Sequence, residues 1–119
     1  MSKEILKRNI KRGEVYWGRL DDAEGYEQQN ERPLVIISNN KQNQFSGAVI
    51  VALITSQFDK VYYFEVEIEV EGQKGKILTD QIYTVDKSRL GRKMGTLSEK
   101  QLRQLSEGMH TVLELNNCK

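Results

Sequence analysis

From Tyr63 to Glu71 the chain alternates strictly, with Phe64, Val66, Ile68 and Val70 interleaved with Glu65, Glu67, Glu69 and Glu71. A period of two belongs to an extended strand, in which successive side chains point to opposite faces. A helix would scatter these apolar residues around its whole circumference. The stretch is therefore expected to be a half-exposed antiparallel strand with an acidic outer face. Such a strand needs partners, and the flanking sequence supplies them.

Ala48-Val49-Ile50-Val51-Ala52-Leu53-Ile54 is the most apolar segment, and its length and β-branching favour a central strand. Pro33 to Ser38 reads as a second buried strand, opened by a proline where a missing N–H does least harm. Glu14 to Leu20 and Lys76 to Val85 are strand-like as well. Asp21 to Glu31 reads as a polar loop pivoting on Gly25, and Asn39 to Gly47 and Glu71 to Gly75 as turns. Near the C-terminus, Thr96-Leu97-Ser98-Glu99 fits a capping box, with Thr96 as the N-cap. Leu102, Leu105, Met109, Val112 and Leu113 follow at helical spacing, which places a helix over 96–115. The fold class expected is mainly β with a C-terminal helix (α+β): a small antiparallel barrel or curled sheet covered by one long helix.

A length of 119 residues with 29% charged and 38% hydrophobic side chains is that of one globular domain, 1–119. Residues 1–10 read as an N-terminal arm or short helix without the apolar core of a signal peptide. No apolar run approaches the roughly 20 residues of a membrane span. Cys118 is the sole cysteine, so no internal disulfide is expected, and a reducing cytoplasm is the simplest location. The net charge of +1 excludes a global basic field, so any nucleic-acid binding must use local contacts.

Several chemistries are excluded by what the sequence lacks. His110 is the single histidine and falls on the C-terminal helix, which rules out a two-histidine nuclease and favours a surface or structural role. No His, Cys or Asp cluster has metal-ligand spacing, so neither a metal nor another cofactor is expected. There is no glycine-rich phosphate loop and no nucleophile elbow.

Polar groups remain at the strand ends. Arg32 opens the second strand and Thr55 closes the third. If these strands pair directly and antiparallel, the two residues meet on one rim. A guanidinium fork and a hydroxyl suit a phosphodiester. A solvated strand-end charge and a turn cap are the plainer readings. Asp80-Gln81 interrupts the apolar run between Leu78 and Ile82. These two residues are either strand-end hydrogen bonders or readers of base edges.

Arg12-Gly13-Glu14-Val15-Tyr16, Gly25-Tyr26-Glu27-Gln28 with Arg32-Pro33-Leu34-Val35-Ile36, Val49 to Thr55 and Asp80 to Asp86 together resemble the MazF/PemK family, in order, from about Lys11 to Leu115. These are the toxins of type II toxin–antitoxin pairs. The resemblance implies a homodimer of SH3-like barrels of the MazF/CcdB/Kid type that cleaves single-stranded RNA, including mRNA, at short sequences. It implies cleavage without a metal, leaving a 2′,3′-cyclic phosphate and a 5′-hydroxyl. By position, Arg32 and Thr55 match the catalytic arginine and threonine. Arg12, Glu27, Asn39, Asp80 and Gln81 match positions lining the RNA groove, with Gln28, Ser56 and Gln57 beside them. Tyr26, Gln29-Asn30-Glu31, Asp80 and Tyr83 depart from the commoner family residues and bear on sequence preference.

The resemblance also implies a MazE-like antitoxin whose acidic, disordered tail folds into the toxin's groove. The acidic face of Glu65 to Glu71 should then point away from Arg32, since it would repel both RNA and tail. Two other readings compete: a CcdB-type toxin that poisons gyrase on a similar barrel, and a non-catalytic barrel that binds RNA or peptide.

Overall fold

A computed structural model describes residues 8–20 and 31–115. The N-terminal arm before Arg8, the loop carrying Tyr26, Glu27 and Gln28, and Cys118 lie outside the described residues. The strands are β1 (Glu14–Gly18), β2 (Arg32–Ile36), β3 (Ala48–Thr55), β4 (Val66–Val70), β5 (Gln73–Asp86) and β6 (Leu90–Thr96). The helices are α1 (Asn40–Phe45) and α2 (Glu99–Leu113). All strands join one antiparallel sheet in the order β4-β5-β3-β2-β1-β6.

The sheet is apolar on both faces, which is why β2 and β3 read as almost continuous hydrophobic runs. Alternate residues feed two cores. Val15, Val35, Ala52 and Ile54 face one, together with Ile68, Ile77 and the helical Leu105 and Met109. Tyr16, Leu34, Ile36, Val49 and Val51 face the other. At about 25 cal/mol per Å² of apolar surface removed from water, this two-sided burial is the main stabilising contribution.

The sheet curls until its edges approach one another. Arg92 on β6 pairs with Glu71 at 2.7 Å, beyond the end of β4. Glu71 and Gly72 form a two-residue hairpin turn, both at positive φ (53° and 77°), with Val70 paired to Gln73. Helix α2 closes the open side. Gly108 lets the helix approach the Phe64 carbonyl so closely that a Cβ there would collide with it.

The structure corrects several sequence expectations. Asn39 to Gly47 is not a simple turn: Asn39 caps α1 by accepting from the Gln42 amide. The fully buried Asn43 donates to the Ser38 carbonyl at 2.9 Å. A cap and one buried amide hold this turn of helix, and neither leaves a hydrophobic period. The N-cap of α2 is Ser98, in a capping box with Gln101, and not Thr96 with Glu99. Thr96 is still in β6 opposite Glu14, and Leu97 donates to Gly13, so the chain cannot turn into helix until Ser98.

Strand β4 begins at Val66. Tyr63 to Glu65 form a turn, and Glu65 is not on the acidic outer face but buried in an ion pair with Lys76. Strand β6 is polar and glycine-containing, and no alternation announces it. Asp80-Gln81 interrupts its apolar run because β5 bulges there. Leu53 pairs with Leu78 and the adjacent Ala52 with Ile82, leaving Thr79, Asp80 and Gln81 without partners on β3. Thr79 turns inward and donates to the Phe64 carbonyl at 2.8 Å, while Asp80 and Gln81 face solvent.

Candidate functional site

Strands β2 and β3 are consecutive and antiparallel, with Leu34 paired to Leu53 and Ile36 to Val51. Continuing that register beyond the last paired residues sets Arg32 opposite Thr55. Both continue the alternation of Leu34 and Leu53, so they belong to the same face of the sheet. The ladder stops at Leu34 and a cleft of about 430 Å³ opens at this rim. Arg32, Thr55, Ser56 and Gln57 all line it.

Arg32 is exposed and Thr55 half-buried. The Thr55 hydroxyl accepts from the Gln57 amide at 3.2 Å and donates toward the Gln57 carbonyl at 3.4 Å. It therefore caps the turn after β3, and that turn fixes its position on the rim. Ile54, Ile68, Val70 and Met94 line it as well; they belong to the first core, on the face opposite Leu34 and Leu53, so the cleft wraps over the end of the sheet.

Glu31, expected at the groove with its loop, lines this cleft, and so do Trp17 and Lys74, which the sequence did not point to. Trp17 stands opposite Pro33 across β1 and β2. Lys74 lies just after the β4–β5 turn, two residues before Lys76, which pairs with Thr55, so the β3–β5 ladder carries it to this rim. Arg32 and Lys74 against Glu31 leave the described lining cationic, which suits a phosphodiester. Glu67, Glu69 and Glu71 are absent from this lining, in keeping with an acidic strand face directed away from Arg32.

The other candidates are placed differently. Arg12 and Asn39 lie beyond the other end of β2, whose five residues put about 13 Å between Arg32 and Ile36. The Arg12 guanidinium donates to the Ile37 carbonyl and to the Ser106 hydroxyl of α2 (3.0 Å for the latter). Burial lowers its pKa from the usual arginine value. The Arg12 side chain thus braces the helix against β2. Asp80 and Gln81 are exposed on the β5 bulge and do not line the cleft. The Tyr83 hydroxyl donates to the Gln81 side-chain oxygen at 3.1 Å. His110 is exposed on α2. Among the described residues, no three His, Cys, Asp or Glu side chains converge, and no helix is long and apolar enough to cross a membrane.

Residues 11–113 match the family described as PemK-like, MazF-like toxin of type II toxin-antitoxin system. An Endoribonuclease MazF of Staphylococcus epidermidis is 40% identical over 114 residues, spanning 91% of this chain and 94% of that protein. Another, of Staphylococcus saprophyticus, is 38% identical over 115 residues, spanning 87% and 95%. The fold resembles a mycobacterial endoribonuclease solved with its cognate antitoxin (TM-score 0.74, 24% identity, 89% of this chain and 96% of that one). It also resembles MazF of Deinococcus radiodurans (TM-score 0.72, 24% identity, 90% and 98%).

Proposed function

Because the chain belongs to the PemK-like, MazF-like toxins of type II toxin–antitoxin systems, we propose that it is an endoribonuclease that cuts single-stranded RNA at a short recognition sequence without a metal ion. Cutting mRNA would stop translation until an antitoxin neutralises the enzyme. The observation that carries the mechanism is the placement of Arg32 and Thr55 opposite each other on one rim, lining one cleft.

The substrate supplies its own nucleophile. The 2′-hydroxyl oxygen attacks the adjacent phosphorus, and the bond from phosphorus to the 5′-oxygen breaks. The products are a 2′,3′-cyclic phosphate and a 5′-hydroxyl. Arg32 binds the non-bridging oxygens and stabilises the charge that builds on them, a role worth about a hundred- to a thousandfold in rate. A guanidinium stays protonated, so it does not act as the base; it donates a hydrogen bond to the leaving 5′-oxygen, which takes its proton from solvent water to become the 5′-hydroxyl. Thr55, already oriented by its turn, holds the phosphate or aligns the 2′-hydroxyl. Glu27, carried over from the family resemblance, takes the 2′-hydroxyl proton or fixes the guanidinium; it lies outside the described residues.

Ser56 and Gln57 in the cleft, and Asp80 and Gln81 on the bulge, contact bases of the bound RNA. The acidic tail of a MazE-like antitoxin fits the same cationic rim, so it excludes RNA directly. The working unit is a homodimer in the cytoplasm. The test is cleavage of a long RNA in EDTA with analysis of the termini. Cyclic phosphate ends in EDTA support the mechanism, and loss of cutting in EDTA ends it. An oligonucleotide with a 2′-deoxy sugar at the cut position should stay intact; its cleavage would exclude 2′-hydroxyl attack.

A further inference from the structure

We propose that the pocket between the β3–β4 connection and β5 is a stacking subsite for a nucleobase flanking the scissile phosphodiester. The inference rests on the endoribonuclease reading and extends it to substrate binding. The connection between Thr55 and Val66 contains Phe58, Tyr62, Tyr63 and Phe64, an unusual density of rings outside the core. Phe58 and Tyr62, with Lys60 and Lys76, wall a cavity of about 460 Å³. Thr55 and Gln57 line both this cavity and the cleft of Arg32, so the two spaces adjoin at the reacting centre.

The pocket is preorganised by one ammonium group. The Lys76 side chain is only 8% exposed and donates to the Glu65 carboxylate at 2.7 Å and to the Lys60 carbonyl at 2.9 Å. The same nitrogen lies 5.5 Å from the Phe58 ring centre and 5.4 Å from that of Tyr62. Lys76 thus fixes the loop's backbone and two aromatic rings together. Phe64 stacks parallel to Tyr62 at 5.9 Å and backs it. Tyr62 is still 47% exposed, and the exposed Lys60 ammonium sits 4.7 Å from its ring centre.

A base can displace the exposed Lys60 ammonium from the Tyr62 ring. Every base presents a π-face, so such a platform holds a strand without reading its sequence. Charge favours a base over the acidic tail of a protein partner. Lys60 and Lys76 are balanced by Asp59 and Glu65, so the pocket offers stacking and little net attraction for anions.

The experiment begins by mapping where the wild-type protein cuts a long RNA. An oligonucleotide carrying that site is then made with a 2′-deoxy sugar at the cut position, and with an abasic residue at each flanking position in turn. Binding is compared for wild type, Tyr62→Ala and Tyr62→Phe. Loss of one stacked base is worth about 5- to 150-fold in affinity. We expect the wild type to lose that much at one abasic position. Tyr62→Ala should bind the intact oligonucleotide correspondingly less well and be indifferent to that abasic position, and Tyr62→Phe should behave as wild type. If Tyr62→Ala binds RNA as the wild type does, the subsite is wrong and the pocket is left to a protein partner. Full additivity of the Tyr62→Ala and abasic losses also overturns it. A wild-type protein that leaves the long RNA uncut defeats the endoribonuclease reading itself. One that cuts while Tyr62→Ala is unaffected defeats only the subsite.

Discussion

At one end of β2 the Arg12 guanidinium is half-buried and donates to the Ile37 carbonyl and the Ser106 hydroxyl. At the other end Arg32 stands exposed in a cleft with Thr55 opposite it. Both arginines occur in segments resembling the same family, and that resemblance implies an RNA role for both. The structure separates them by what surrounds each fork. A guanidinium whose donors already meet protein acceptors contributes to stability, whereas one that faces a cationic cleft is available to a phosphate. The same contrast holds for the neighbouring hydroxyls. Ser38 is buried and donates to Asn43, while Thr55 lines the open rim.

The strongest way to break this contrast is Arg32→Ala. Cleavage should fall by about a hundred- to a thousandfold, with no change in the urea midpoint, because the side chain is exposed. Near wild-type cutting would remove Arg32 from the site. The converse variant, Arg12→Ala, removes a charged donor from a carbonyl and a hydroxyl that lie partly out of water. It should cost about 1.5–3 kcal/mol of folding stability. Cutting per folded molecule should fall by less than tenfold. A stable Arg12→Ala protein with no activity would reverse the assignment of the two arginines.

Gly108→Ala sharpens the structural end of the comparison. The added methyl would strike the Phe64 carbonyl and crowd Thr79, which hydrogen-bond to each other beneath α2. Overpacking of this kind costs about 1–3 kcal/mol. Thermal unfolding would detect it, and an unchanged midpoint would show that the helix does not lie so close to the loop.

What the sequence revealed follows from the range of the forces involved. Strands β2 and β3 were legible because each is buried on both faces, and their direct pairing was enough to bring Arg32 and Thr55 to one rim. The gap at Asp80-Gln81 was legible as a break in an apolar run, but its cause, a three-residue bulge opposite Ala52 and Leu53, needs the register of another strand. Strand β6 was invisible because it is a polar edge whose partner β1 lies far away in sequence. Trp17 and Lys74 were missed at the cleft for a related reason: Trp17 reaches it through its pairing with Pro33 and Lys74 through the pairing of Thr55 with Lys76, and each needs the register of another strand. Glu65 looked solvated because alternation reports the face of a residue and not the lysine waiting beside it.

The smallest expected effect again concerns the structural end, where Glu14 lies next to Gly13 and Arg12. Burial pushes its pKa up. Hydrogen bonds from Lys93 (2.8 Å), the Lys11 amide (2.8 Å) and the Tyr16 hydroxyl (2.8 Å) outweigh that and hold it below the ordinary 4.5. Burial, and then the Glu14 carboxylate, push the Tyr16 hydroxyl up, so it stays a donor throughout the neutral range. A depressed carboxylate pKa means that the unfolded chain takes up the proton first as acid is added. The stability Glu14 contributes is therefore complete above about pH 4.5 and is lost as pH falls through its lower folded value. Lys93 is partly exposed, so the contribution is about 1 kcal/mol. Urea midpoints measured from pH 7 to pH 3 should decline at the acid end in the wild type and less steeply in Glu14→Gln. Parallel curves would mean that this carboxylate does not secure β1 to β6, and the contrast between a closed structural end and an open functional one would rest on Arg12 alone.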